Sequence, residues 1–299
     1  MGKKVEIVEV GPRDGFQNLE DYIPVEEKLK VIEDLIGAGI KHIQHTSFVS
    51  PKAIPQLRDA SEITKILLEK YPDFDFFPLV PNLYGARVAY ELGIKKISYV
   101  VSLSKSHNKA NINRTHEESF EELKKIMDAY KDLDICVDVA TTFGCPFEGK
   151  FSTEIVVEFI RQLVDIGVKE MTLADTIGIA NPKQVREIVG ALKKEFPEIE
   201  FQVHIHDTRN MGMVNTLAAI ESGITKVQST LGGLGGCPFA PGASGNTATE
   251  DLVYMLNDMG YDTGVDIEKL LEAARYEKSI IKGNFSGHLV NIQKQQCCK

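Results

Sequence analysis

Two imidazoles lie two residues apart in the run FQVHIH, residues 201–206. In a strand, alternation turns Phe201, Val203 and Ile205 to one face and Gln202, His204 and His206 to the other. Two imidazoles on one face can share a single metal ion. Histidines on a solvated strand face are the plainer reading, but that reading fails where the face points into an interior, because an unpartnered buried imidazole is costly. A second segment with chemical promise is GGLGGCPFAPGASGN, from Gly232 to Asn246. A stretch so poor in side chains sustains neither helix nor strand, so its backbone serves turns, mobility or close approach to a ligand. It lacks the Lys-Ser/Thr that completes a P-loop. A plain linker is the alternative, although linkers rarely carry Cys-Pro-Phe at their centre. Free cysteines are mostly inert small hydrophobes, yet Cys237 in a movable loop is placed to exchange protons with a substrate while the loop excludes water.

These residues need a scaffold, and the chain has the length for one. Its 299 residues, 43% of them hydrophobic, suffice for a single large core. Short apolar or β-branched runs recur at Val5–Val10, Lys41–Thr46, Asp75–Val80, Lys96–Val101, Asp134–Ala140, Glu170–Leu173, Glu200–His206 and Lys226–Ser229. Amphipathic stretches lie between them. In VEEKLKVIEDLIGAG, for instance, Val25, Leu29, Ile32, Leu35 and Ile36 repeat at three and four before glycines suited to a C-terminal cap. Eight βα units predict an α/β fold, a TIM (β/α)8 barrel, with a doubly wound open sheet as the alternative. In a barrel, the face carrying His204 and His206 points inward, and chemistry gathers at the C-terminal strand ends. The reading is one catalytic domain over 1–299, with additional C-terminal helices and a tail from about residue 262.

Charge narrows the partners. Asp plus Glu number 43 against 34 Lys plus Arg, a net charge of −9, which disfavours nucleic acid and leaves any anionic ligand to a local cluster. No apolar run approaches a membrane span, and MGKKVEIVEV enters a strand pattern without a signal-peptide core, so a cytoplasmic location is expected. The five cysteines lack CxxC spacing and read as reduced thiols. Cys297 and Cys298, near the end of the chain, are candidates for an intersubunit disulfide under oxidation.

Together with VEVGPRDG, TSFVSPK, GCPFEGK, LADTIG, VHIHDT and NTATEDLVYML, the glycine segment resembles 3-hydroxy-3-methylglutaryl-CoA lyases over about Val5 to Ala273. That family belongs to a superfamily of metal-dependent lyases and Claisen-type synthases built on a TIM barrel. The resemblance implies a divalent cation held by Asp14, His204, His206 and Asn246. Nitrogen and hard oxygen donors without thiolate suit Mg²⁺ or Mn²⁺, and also accommodate Zn²⁺, Co²⁺ or Fe²⁺. It further implies that Arg13, otherwise a candidate for a rim salt bridge, stabilises an enolate. Cys237 would be catalytic in a loop that acts as a lid. Glu9 and Asp175 would belong to the active-site network, with Asp207 as a loop-holding or supporting contact. Lys109, Asn111 and Asn113 fall in the segment that would contact the CoA arm. A homodimer or higher homo-oligomer is expected.

The implied chemistry is cleavage of a 3-hydroxyacyl-CoA. The tertiary hydroxyl loses its proton and the C2–C3 bond breaks, with His204 as first candidate for proton transfer and Cys237 for protonating the enolate. With 3-hydroxy-3-methylglutaryl-CoA the products are acetyl-CoA and acetoacetate. The chain departs from the family pattern at three places. Gln44 stands where Glu is expected, CVDVATTFGCP replaces an Arg-Gly-Tyr run, and Arg209-Asn210 replaces Tyr-Gly. A Claisen-type synthase would use the same metal site, but the chain has little room for the C-terminal region many of those carry. A carboxyltransferase subunit would want a barrel-strand lysine for carboxylation, and none is evident. A non-catalytic binding protein is suggested only by Gln44.

Overall fold

The computed structural model describes residues 2–236 and 245–292. Cys237, Cys297 and Cys298 lie outside the described residues. The strands are β1 (Glu6–Glu9), β2 (His42–Ile43), β3 (Asp75–Phe76), β4 (Leu79–Val80), β5 (Lys96–Ser102), β6 (Asp134–Ala140), β7 (Glu170–Asp175), β8 (Glu200–Ile205) and β9 (Lys226–Ser229). Hydrogen bonding runs in the order β3-β2-β1-β9-β8-β7-β6-β5-β4, with parallel pairing throughout. The two ends of that sheet, β3 and β4, are halves of the single run expected at Asp75–Val80. Pro78 interrupts it because proline has no N–H to give the ladder. Its carbonyl still accepts from Ser98 N–H at 2.9 Å, and Phe77 N–H donates to Ile43 at 3.2 Å. The sheet therefore closes on itself into the eight-stave barrel that the sequence predicts.

Ten helices among the described residues surround it: α1 (Val25–Gly37), α2 (Ala60–Lys70), α3 (Leu83–Glu91), α4 (Lys105–Ile112), α5 (His116–Ala129), α6 (Thr153–Ile166), α7 (Pro182–Glu195), α8 (Gly212–Glu221), α9 (Thr249–Asp258) and α10 (Ile267–Ile280). In α6, Val156, Phe159, Ile160 and Leu163 bury one face, Ser152 caps the start by accepting from Ile155 N–H, and Gly167 ends it at φ 105°. α5 opens with a reciprocal Thr115–Glu118 capping box. The main core fills the space between strands and helices. Inside the barrel polar side chains mix with Val8, Val10 and Phe77 and, at the cavity, Val100, Ala140 and Ala174. Its lower layer holds the half-buried pair Lys96–Glu170 at 2.7 Å, and Lys226 reaches the exposed Glu200 at 2.6 Å. No described helix is long and apolar enough to cross a membrane.

The C-terminal elements pack on the barrel. Tyr276 in α10 donates to Glu27 in α1, and Gly287 N–H reaches the Gly232 carbonyl at 2.9 Å. This packing buries three carboxyls together: Glu9, Glu250 and Glu277 are each fully buried. Neither Glu277 oxygen has a hydrogen-bond partner. Burial, reinforced by Glu9 and Glu250, pushes the Glu277 pKa well above 4.5. Burial likewise raises Glu9 to about 7 and Glu250 to about 8.

Unfolded, these carboxyls ionise near 4.5, so above that pH the native state holds more protons than the unfolded chain, and stability falls as pH rises. Glu277→Gln removes one titrating group from this set. Urea unfolding of the variant should show little change near pH 5 and a gain at higher pH. The slope of stability against pH should flatten by up to about 1.4 kcal/mol per pH unit, the equivalent of one proton.

Candidate active site

The site begins where β1 ends. Gly11–Gly15, GPRDG, forms a π-helical turn in which Asp14 N–H reaches the Val10 carbonyl at 2.7 Å. Single π turns of this kind often mark functional positions. The turn brings Arg13 and Asp14 to one side, with Arg13 Nη1 2.5 Å from Asp14 Oδ1. At the end of β8, His204 and His206 face the same space, their ring centroids 5.0 Å apart. One ligand atom from each of Asp14, His204 and His206 lies within 4.8 Å of the others, and all three residues are buried. His204 Nε2 stands 3.9 Å from Asp14 Oδ2.

Asn246 completes the constellation. Its Nδ2 donates to Asp14 Oδ2 at 2.8 Å and to the Leu234 carbonyl at 3.3 Å, while Oδ1 is buried without a partner. His206 Nδ1 is also buried without one. A bare amide oxygen and a bare imidazole nitrogen beside a carboxylate form a donor set that fits a divalent cation. Backbone approaches closely here: a Cβ on Gly235, at φ 148°, would lie 2.6 Å from Asn246 Nδ2.

Electrostatics favour the ligating forms. Burial, and then the neighbouring His206, hold the His204 pKa down to about 3, and burial also lowers His206. Both imidazoles are neutral at pH 7. Burial alone would raise Asp14, but Arg13, the histidines where acid protonates them, and the Asn246 amide outweigh it and hold the carboxyl at about 2. Gln228 Oε1 lies 3.1 Å from His204 Nδ1, and its Nε2 donates to Thr172 Oγ1 at 3.1 Å. An acceptor facing Nδ1 requires the proton there, which leaves His204 Nε2 bare.

Arg13 also donates through Nε to Gln44 Oε1. Gln44 Nε2 donates to Ser98 Oγ at 2.7 Å, and Ser98 donates to Asp138 Oδ2 at 2.8 Å. The sequence had not singled out Asp138 as a site residue. Its signal was period-two alternation along β6, which turns Cys136, Asp138 and Ala140 inward.

A cavity of about 670 Å³ opens over these groups. Arg13, Asp14, Asp138, Thr172, His204, His206 and Gln228 line it, as do Val49, Ile54, Asn82, Asn111 and Arg114.

Other candidates stand elsewhere. Glu9 does not line the cavity. Its oxygens accept from Gly11 N–H at 2.8 Å, Leu231 N–H at 2.9 Å and the Thr249 hydroxyl at 2.7 Å. Asp175 accepts from Ile179 and Ala180 N–H at 3.0 and 2.9 Å, tying down the loop after β7, and burial raises it to about 6. Asp207 accepts from Gly212 N–H at 2.6 Å and so holds the start of α8. Of the CoA-segment candidates, Asn111 lines the cavity. Lys109 Nζ instead meets the Asn113 carbonyl at 3.2 Å, and Asn113 ends α4 in a left-handed conformation at φ 53°. Arg114 lines the cavity while donating to the Pro81 carbonyl at 2.6 Å. Arg209, a possible replacement anion-binding group, donates to the Ile177 and Gly178 carbonyls at 2.8 and 3.1 Å, which turns it into a loop clamp.

Comparison with known proteins agrees with this geometry. The chain is 43% identical over 276 residues to the mitochondrial hydroxymethylglutaryl-CoA lyase of Homo sapiens, covering 92% of this chain and 85% of that protein. It is 44% identical to hydroxymethylglutaryl-CoA lyase YngG of Bacillus subtilis, covering 92% of each. A solved Bacillus subtilis HMG-CoA lyase superposes with a TM-score of 0.88 at 43% identity, over 93% of this chain and 94% of that one. An Acinetobacter baumannii HMG-CoA lyase, solved with coenzyme A and 3-methylmalate, gives a TM-score of 0.92 at 38% identity, over 99% and 97%. The HMGL-like family model matches residues 4–276, and with the barrel, the metal-type cluster and these relatives in agreement, the chain belongs to the HMGL-like family.

Proposed function

We propose that this chain is a divalent-metal-dependent carbon–carbon lyase that cleaves 3-hydroxy-3-methylglutaryl-CoA to acetyl-CoA and acetoacetate. The observation that carries the reading is the convergence of Asp14, His204 and His206 beside Arg13 under the cavity. Asp14, His204, His206 and the free Asn246 oxygen would hold the cation, with Mg²⁺ or Mn²⁺ suiting these donors best. When bound, the metal supplies Lewis acidity that makes the tertiary hydroxyl easier to deprotonate.

The chain's own groups account for the rest. As the C2–C3 bond breaks, its electron pair moves toward the thioester, and the permanent charge of Arg13 stabilises the resulting enolate. Gln44 holds that guanidinium through Nε. Because His204 Nδ1 is committed to Gln228, ligation and base function would compete for Nε2, so we assign His204 to ligation and the hydroxyl proton to water in the open cavity. Cys237 returns a proton to C2 of the acetyl-CoA enolate. Glu9 and Asp175 support the site by fixing backbone. Asn111 and Arg114 would meet the CoA arm. A Claisen-type synthase gains no support from the relatives, which are named as lyases. We also read the protein as a homo-oligomer in the cytoplasm, a reducing compartment that suits the free buried thiols Cys136 and Cys145.

His204→Ala or His206→Ala should abolish Mn²⁺ binding, followed by electron paramagnetic resonance, and cleavage of 3-hydroxy-3-methylglutaryl-CoA, while circular dichroism stays that of the parent. Full activity of both variants in chelator would end the metal-dependent reading. Cys237→Ser should bind the thioester normally and turn it over about 10²-fold more slowly; an unchanged kcat would make Cys237 a bystander. Gln44→Glu should lower kcat on this substrate. A glutamate there cannot donate to Ser98, and it would add a second carboxylate to a chain that already ends at Asp138. A gain in kcat would instead show that the amide is the weaker solution at that position.

A further inference from the structure

Alternation along β5 sends Ile97, Tyr99 and Val101 into the main core and turns Ser98 and Val100 into the barrel. Ser98 is fully buried, so its hydroxyl must find partners within the protein. It has two. Gln44 Nε2 donates to Ser98 Oγ at 2.7 Å, and Ser98 donates to Asp138 Oδ2 at 2.8 Å. We propose that Ser98 is a positioning residue for the reaction, setting through the Gln44 amide how the Arg13 guanidinium is presented to the substrate.

The direction of each link follows from the group at its end. Arg13 Nε–H can only donate, so the Gln44 atom facing it must be Oε1. The other end of the amide is then Nε2, a donor, and the hydroxyl it meets must accept. Ser98 has one hydrogen left to give, and the Asp138 carboxylate accepts it. No link can reverse alone. With the Gln44 amide turned over, its NH2 would face Arg13 Nε–H, donor against donor. Arg13, Gln44, Ser98 and Asp138 are all buried, so bulk water does not compete for these groups. The guanidinium is thereby held at two points, Nε on Gln44 and Nη1 on Asp14 at 2.5 Å. Neither bond uses Nη2. Held at one point the planar group can pivot, whereas two points set its plane and leave Nη2 for a ligand oxygen in the cavity that Arg13 lines. Ser98 does not line that cavity, so its action on the enolate runs through Gln44.

This inference rests on the lyase reading for its kinetic readout, whereas solvent exchange of the Arg13 Nε–H is read without it. Nitrogen-15 NMR follows that exchange, with the signal assigned by its absence in Arg13→Lys. Steady-state kinetics on 3-hydroxy-3-methylglutaryl-CoA report kcat and KM, and Mn²⁺ titration reports the state of the metal-type cluster. In Ser98→Ala the Nε–H should exchange about 10-fold faster. Its kcat should fall about 10-fold, with KM and Mn²⁺ affinity within about twofold of the parent. Ser98→Thr, which keeps the hydroxyl, should hold kcat within about threefold of the parent. The sharpest comparison places Ser98→Ala in a Gln44→Met background, where no amide is left to orient and the added change in kcat should stay below about twofold. An equal loss of kcat in both backgrounds would overturn the proposal, because a serine needed only for packing acts whether or not the amide is present. So would parental exchange of the Arg13 Nε–H in Ser98→Ala. Should the Gln44→Met chain not fold, that exchange measurement carries the test. Failure of the parent to cleave the thioester would end the lyase reading alone, and exchange then decides whether Ser98 orients Arg13.

Discussion

Arg13 and Asp14 are adjacent in sequence and face one cavity. A strand would send them to opposite faces, and an α-helix would turn them about 100° apart. The π turn over Gly11–Gly15, closed by Phe16 N–H directed at the Gly11 carbonyl, carries both residues past the strand end, and the long Arg13 side chain folds back onto Asp14. Such a turn leaves backbone donors that need partners. Glu9 supplies one by accepting from Gly11 N–H, and its other bonds go to Leu231 N–H and the Thr249 hydroxyl. One buried carboxyl thus links the Arg13–Asp14 turn, the entry to the glycine segment and the start of α9. Asn246, on the return from that segment, donates back to Asp14. The metal-type cluster is assembled by the same ties that hold the glycine segment to the barrel.

The barrel was legible because its signals are local and periodic. The runs at Asp134–Ala140 and Lys226–Ser229 became strands with those bounds. Alternation along FQVHIH correctly sent His204 and His206 inward. The Asp75–Val80 run was also found, but its break was not, because it depends on Pro78 lying where both neighbouring staves must be paired. Side-chain duties were harder to read. Glu9 and Asp175 are acids at strand ends, which is where catalytic carboxylates sit, and nothing local distinguishes them from carboxyls that bind backbone N–H groups. That distinction depends on Leu231 and Thr249 folding back onto Glu9. Lys109 and Asn113 were separated from Asn111 by helix geometry, since α4 turns only part of its surface to the cavity.

Carboxyls are buried in this protein in two physically different ways. Asp14 is kept ionised, at about 2, by Arg13 with the help of the Asn246 amide. Glu250 and Glu277 have no cation beside them among the described residues, and burial favours their protonated forms. The first arrangement favours negative charge where a cation would bind. The second removes charge beneath Gly232, where an ionised carboxylate would be poorly solvated. The two described ends of the glycine segment meet one of each: Gly232 N–H donates to Glu250, and Asn246 donates to Asp14.

Gln44 is best understood within this pattern. A glutamine carries no charge, so what it contributes depends on which end of the amide faces which neighbour. At 44 the oxygen faces Arg13 and the nitrogen faces Ser98; at 228 the oxygen faces His204 and the nitrogen faces Thr172. In both cases the amide lies between a hydroxyl and a cationic or ligating group, with the same polarity. A carboxylate at 44 would pair with Arg13 directly and would have no hydrogen for Ser98. Asp138, on β6, is linked to Arg13 through Ser98 and Gln44. Gln44 therefore leaves the direct ion pair of Arg13 to Asp14, its neighbour in the π turn.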